Sequence, residues 1–185
     1  MWFRWRALDW LFSAALCFTA ASVHTRAHAA PKKGDVLQTD SLSVLLASHD
    51  YTTKTSSSIK DTVNLSGVVG LHYYFVNRVR IGMGLQFTER LWPQPPLGTS
   101  RFQRFALMPQ LGWSFADPFY TAVIFSYAPR TLGRANLDMA IIGALGAALP
   151  VTRRMKFSLA LEVPYAFYYH RTVGLVALTG VSFRL

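Results

Sequence analysis

Cysteine is nearly missing from this chain: Cys17 is the single one in 185 residues. One thiol excludes an internal disulfide framework and a cysteine-built zinc site. The signatures of soluble catalysts are missing as well: there is no GxSxG, no HExxH and no phosphate loop. No metal site and no cofactor is expected. Past the first thirty residues no apolar run reaches the roughly 20 residues that a membrane-spanning helix needs. Acidic residues are scarce, with 9 Asp and Glu against 19 Lys and Arg, a net charge of +10. Such a balance can signal nucleic acid, but no nucleic-acid-binding motif accompanies it and no nucleic-acid partner is expected.

The start of the chain reads as an export signal over residues 1–29. Arg4 and Arg6 form a positive region, Trp10 to Val23 an apolar stretch, and Ala27-His28-Ala29 a small-residue cleavage motif before Ala30. Cys17 would leave with this segment, as would Arg4, Arg6, Arg26 and Asp9. The remaining 16 basic and 8 acidic residues give the exported chain a net +8. A basic exported protein meets anionic lipid head groups.

The chain is half hydrophobic, and that half is distributed by twos. From residue 62 to 92, Val63, Leu65, Gly67, Val69, Leu71, Tyr73 and Phe75 share one face, and Asn64, Ser66, Val68, Gly70, His72 and Tyr74 the other. After Val76-Asn77-Arg78 the alternation restarts, with Val79, Ile81, Met83, Leu85 and Phe87 opposite Arg80, Gly82, Gly84, Gln86 and Thr88. A period of two is that of a strand, and the short break makes an antiparallel hairpin. The second face, small, polar and glycine-rich, suits the inside of a narrow barrel with lipid outside.

The same reading extends along the chain. Residues 30–39 form a short polar leader. Residues 40–48 form the first strand, with Leu42, Val44 and Leu46 outward. His49 to Asp61 is a Ser/Thr-rich loop or strand extension. After the prolines of 93–100, further strands are expected near 101–115, 119–128, 136–149, 154–168 and 173–185. MAIIGALGAAL, apolar on both faces, is the segment most like a helix, but it is too short to span as one, and Gly143 and Gly146 weaken a helix. The fold class is therefore all-β: an eight-stranded antiparallel up-and-down transmembrane barrel over 40–185, behind a cleaved signal peptide. Long and short connections alternate, with both termini on the short-turn side. Aromatics gather near the strand ends: Tyr73, Tyr74, Phe75, Trp113, Phe115, Phe119 and Tyr120 on the turn side, and Trp92, Phe125, Tyr127, Phe167 and Tyr168 on the loop side.

On this layout the chain resembles the small outer-membrane β-barrels of Gram-negative bacteria, in particular the eight-stranded membrane domain of the OmpA and OmpX kind. The final strand carries a version of their carboxy-terminal assembly signal: Val181, Phe183 and Leu185 keep the alternation, with Leu185 last where that class has an aromatic. The resemblance implies residence in the outer membrane as a monomer, contact with outer-membrane lipid and lipopolysaccharide, and recognition by the barrel-assembly machinery. No enzyme is expected, because the catalytic motifs named above are missing. The expected role is structural, surface-interacting or weakly porin-like. The alternative is a lipid-modifying enzyme like the lipid A deacylases.

Three sets of residues are candidates for function. Glu162 alternates onto the inner face of its strand, where an isolated carboxylate would be costly; Arg104 or Arg90 is expected to pair with it. Such a pair is either a pore gate or a structural ion pair in a filled barrel, and eight strands leave a bore just filled by side chains. Lys54, Lys60, Arg101, Arg130, Arg134 and Arg171 lie in or beside the longer connections, as lipopolysaccharide contacts or as a plain solvated surface. His49 and His170 could meet at the seam of the barrel. The His-x-Ser spacing of the deacylase barrels fails here, because His72 is followed by Tyr74.

Overall fold

The computed structural model describes residues 31–61, 63–92, 103–129, 138–168 and 171–185, with the side chains of 90–92, 103 and 104 outside that description. The expected export signal of 1–29 lies outside the described residues. The strands are β1 (Val36–Asp50), β2 (Thr55–Ser58), β3 (Val63–Val76), β4 (Val79–Trp92), β5 (Gln103–Ala116), β6 (Phe119–Ala128), β7 (Asp138–Pro150), β8 (Met155–Ala166) and β9 (Thr172–Arg184). All pairings are antiparallel between neighbours, and β1 also pairs with β9, so the sheet closes. Eight strands form the wall; β2 is a short arm that turns back onto the far end of β1. Closure pairs every strand of the wall on both sides, which is what a sheet needs in lipid, where no water can take an orphan N–H or C=O.

The alternation read from the sequence is the alternation of the wall. Leu71, Ile81, Met83, Leu111, Val123, Leu145, Leu161 and Val163 are exposed on the outside, while Ala106, Met108, Ala122, Ile124, Ala144 and Ala160 are buried inside. The outer face is thus a largely apolar band, broken on β1 by Gln38 and Asp40, on strands of 10 to 15 residues, long enough to cross a bilayer. Following the cross-strand partners once around the ring leads from Phe157 through Val181, Asp40, Val69, Leu85, Leu107, Tyr127 and Met139 to Phe167, ten residues further along β8. That offset is the shear of the barrel, and it tilts the strands against the axis.

Three expectations change. β1 begins at Val36, ahead of Asp40, because the leader is already paired: Val36 lies opposite Tyr73 and Leu37 opposite Arg184. Leu46 is not in the outward row. The register shifts between Leu45 and Ala47, so one extra residue resets the phase and Ala47 takes the exposed position. Tyr74 and Tyr120 are not part of the aromatic girdle; both are buried in the bore. The rest of the turn-side girdle is in place, with Trp113, Phe115 and Phe119 in ring contact around the β5–β6 turn.

Candidate functional site

The inner face is built on pairs of one large residue and one glycine. His72 faces Gly82 across the β3–β4 hairpin, Arg80 faces Gly112 on β5, and Tyr120 faces Gly146 on β7. In each pair the large side chain lies over its glycine. A Cβ on Gly82 would sit 2.4 Å from His72 Nδ1, one on Gly112 2.7 Å from Arg80 Nε, and one on Gly146 2.7 Å from the Tyr120 ring. The glycine content of this face is therefore a space requirement: a narrow bore holds large polar chains only where the opposing residue gives up its own side chain.

These three residues meet at the turn-side end of the bore. The Arg80 guanidinium stands 5.0 Å from the centre of the Tyr120 ring, a cation–π contact. His72 Nε2 is 2.7 Å from the Thr39 hydroxyl, which is also 3.4 Å from the Gly70 carbonyl oxygen. The other ring nitrogen of His72, Nδ1, is buried with no hydrogen-bond partner among the described residues. Next along the bore is an apolar layer in which Met108, Ala122, Ile124, Ile142 and Ala144 pack together with Val68 against them. Between the polar and apolar groups lies a cavity of about 70 Å³, lined among others by His72, Arg80, Gln110, Tyr120 and Glu162. It has room for a few waters and no more.

Glu162 is where the alternation put it, inside β8 and 6% exposed. Its cross-strand partners are Ala144 and Val176, neither of which offers it a hydrogen bond from a side chain. Arg104 pairs with Thr88 and Arg90 with Asn64 in the backbone register, but both side chains lie outside the described ones. Among the described side chains, the cation that lines the cavity with Glu162 is Arg80. Sequence reasoning passed over it because Arg80 and Tyr120 meet over the strand that separates them, a contact set by the pairings of β4, β5 and β6 and not by neighbours along the chain. Their one local signal was the glycine opposite each.

At the loop end, β1 and β2 form a polar hairpin. Ser48 and Ser57 hydroxyls lie 2.7 Å apart, and Asp50 accepts from the backbone N–H groups of Thr52 and Thr53. Lys54 turns the tip with φ 55°. Arg171 is fastened to that tip: its N–H donates to the Thr52 hydroxyl and its carbonyl accepts from the Tyr51 N–H. Lys54, Lys60 and Arg171 are all exposed. Arg101, Arg130 and Arg134 lie outside the described residues, as does His170. His49 has Nδ1 2.7 Å from the hydroxyl of Ser56, its partner across the hairpin, and its ring stands edge-on to Tyr51. No group of His, Cys, Asp and Glu that could hold a metal occurs among the described residues.

No family model matches the chain, and no curated protein does. Solved structures do. Neisserial surface protein A is similar at 11% identity with a TM-score of 0.57, over 83% of this chain and 98% of that one. Ail, the attachment invasion locus protein of Yersinia pestis, solved in complex with the heparin analogue sucrose octasulfate, is similar at 9% identity and a TM-score of 0.53, over 83% and 99%. The outer membrane protein OprG of Pseudomonas aeruginosa is similar at 10% identity and 0.51, over 84% and 98%. At such identities the likeness is one of fold, and together with the closed ring, the ten-residue shear and the apolar outer band it gives the chain the fold of the small eight-stranded outer-membrane β-barrels.

Proposed function

We propose that this chain is a non-enzymatic, monomeric outer-membrane barrel that acts through its basic loop end, where Lys54, Lys60 and Arg171, with Arg101, Arg130 and Arg134, contact the phosphates of lipopolysaccharide. The observation that carries the reading is the contrast between bore and rim. The bore is occupied by Met108, Ile124, Ile142 and the His72–Arg80–Tyr120 group, whereas the described cations of the loop end are exposed and Lys54 and Arg171 share one hairpin tip. The likeness to Ail, solved with a polyanionic sugar, points the same way. Cations near an anionic surface contribute about 1 kcal/mol each. The triple variant Lys54→Gln/Lys60→Gln/Arg171→Gln should therefore lose on the order of a hundredfold in affinity for purified lipopolysaccharide at low salt, a loss that shrinks as salt is added. Unchanged binding would remove the loop end from the reading.

One contact favours a second reading. A histidine nitrogen 2.7 Å from a serine hydroxyl is the geometry of an activated nucleophile, and the alternative is a lipid-modifying hydrolase using Ser56 and His49. In the first reading that contact only braces the hairpin. The folded protein should then release no fatty acid from lipopolysaccharide; a release that disappears in both His49→Ala and Ser56→Ala would establish the enzyme instead.

The Glu162–Arg104 ion pair, with Arg90 able to share it, belongs to the same proposal as a structural contact. Removing either partner strands a charge, so Glu162→Gln and Arg104→Gln should each destabilise, and the double variant should lose less than the two together. Additive losses for both Arg104 and Arg90 would leave Glu162 to the Arg80 side of the bore.

A further inference from the structure

The opposite end of the barrel carries a second concentration of charge that the loop-end reading does not use. Lys32 and Lys33 in the leader, Arg78 in the β3–β4 turn, Arg153 and Arg154 in the β7–β8 turn and Arg184 at the end of β9 are all exposed. Hydrogen bonds tie them in two groups, which the pairing of β1 with β9 and the Asp35–Arg184 ion pair join into one arc. Arg78 N–H donates to the Pro31 carbonyl, Lys33 N–H to the Asn77 side chain, and Arg184 N–H to the Arg154 carbonyl. The arc runs from β4 through β3, the leader, β1 and β9 to β8, over rather more than half the rim. The remaining turn, β5–β6, carries Asp117. The other acid at this end, Asp35, is already taken up by Arg184, at 2.5 Å.

The arc also has a definite depth. Arg78 reaches the Phe115 carbonyl, and its own carbonyl accepts from Ser114 N–H, so it stands directly beside the turn-side girdle of Trp113, Phe115 and Phe119. Phe183, exposed on the outer face, precedes Arg184. Aromatic belts mark the boundary of the hydrocarbon, and cations just beyond one lie at the level of lipid phosphates. Like charges crowded on neighbouring turns repel one another unless counter-charges are supplied. A leaflet of anionic phospholipid supplies them where the arc needs them.

We infer that this crescent is a docking surface for the phosphodiester head groups of anionic phospholipid in the leaflet on the turn side, a partner distinct from lipopolysaccharide at the loop end. The inference rests on the membrane reading above.

The test uses the full exported chain in zwitterionic detergent, with phosphatidylglycerol and phosphatidylcholine of identical acyl chains as probes and retained lipid counted by native mass spectrometry. The wild type should hold phosphatidylglycerol more tightly than phosphatidylcholine. At about a factor of five per cation, Arg153→Gln/Arg154→Gln should weaken phosphatidylglycerol about thirtyfold at low salt and leave phosphatidylcholine unchanged. Lys33→Gln/Arg78→Gln should do the same, Arg153→Lys/Arg154→Lys should keep most of the affinity, and Val151→Gln, an uncharged change beside the same β7–β8 turn, should change nothing. Equal affinity for the two lipids in the wild type overturns the inference, and so does a loss in Val151→Gln equal to that in Arg153→Gln/Arg154→Gln. Each sample is first run on a gel with and without boiling. A protein whose migration never shifts fails as a barrel, whereas one that shifts but ignores phosphatidylglycerol fails only here.

Discussion

Leu161→Arg should lower the unfolding free energy in lipid vesicles by roughly 2–4 kcal/mol, the cost of a cation on the lipid face near mid-membrane. Leu161 is 53% exposed on the outer surface in the middle of β8. It lies between Leu145 on β7 and Ala177 on β9 in the cross-strand register. Its surroundings are acyl chains, with neither water nor a carboxylate within the outward row to receive a guanidinium. The neighbouring Ala160→Ser changes a residue that is buried in the bore. There a hydroxyl has polar company and the effect should be small. Urea-dependent unfolding of both variants in the same vesicles measures the pair. Equal losses, or a larger loss for Ala160→Ser, would mean that β8 is read one residue out of register, because such a slip exchanges the two faces of the whole strand.

The second large effect is expected from a single methyl group. Gly146→Ala should destabilise by roughly 1–3 kcal/mol. Its Cβ would stand 2.6 Å from the Leu159 carbonyl oxygen and 2.7 Å from the Tyr120 ring. The carbonyl belongs to the neighbouring strand and cannot swing aside. The Tyr120 ring can move only by giving up its place under Arg80. Gly143→Ala provides the control on the same strand: its Cβ would meet nothing within 4 Å, and the change should fall within about 0.5 kcal/mol. If both variants unfold at the wild-type urea midpoint, the stacked bore is looser than its geometry implies.

The two expectations differ in how visible they were beforehand. That Leu161 faces lipid follows from the period of two alone, since the alternation through Phe157, Leu159, Leu161 and Val163 admits one outward row. The same reasoning placed Glu162 in the bore and paired the two halves of 63–92 as one antiparallel hairpin. It failed where the pattern was interrupted or silent. The extra residue near Leu46 left no mark in composition. Tyr74 and Tyr120 look like girdle residues because an aromatic near a strand end suits either face.

What the sequence by itself determined is the local layer: which stretches are strands, which side of each meets lipid, and that the inner side must be small. Those are properties of neighbours along the chain, carried by side chains that alternate at every residue. What only the tertiary structure decided is who meets whom across the bore. His72, Arg80, Tyr120 and Glu162 come from four different strands, and they share one cavity because the ring closes with a shear of ten. Two residues more or less would leave every strand and every face intact and line the cavity with different residues. Shear is a property of the whole closed sheet, set jointly by all its pairings, so no single segment of the sequence encodes it.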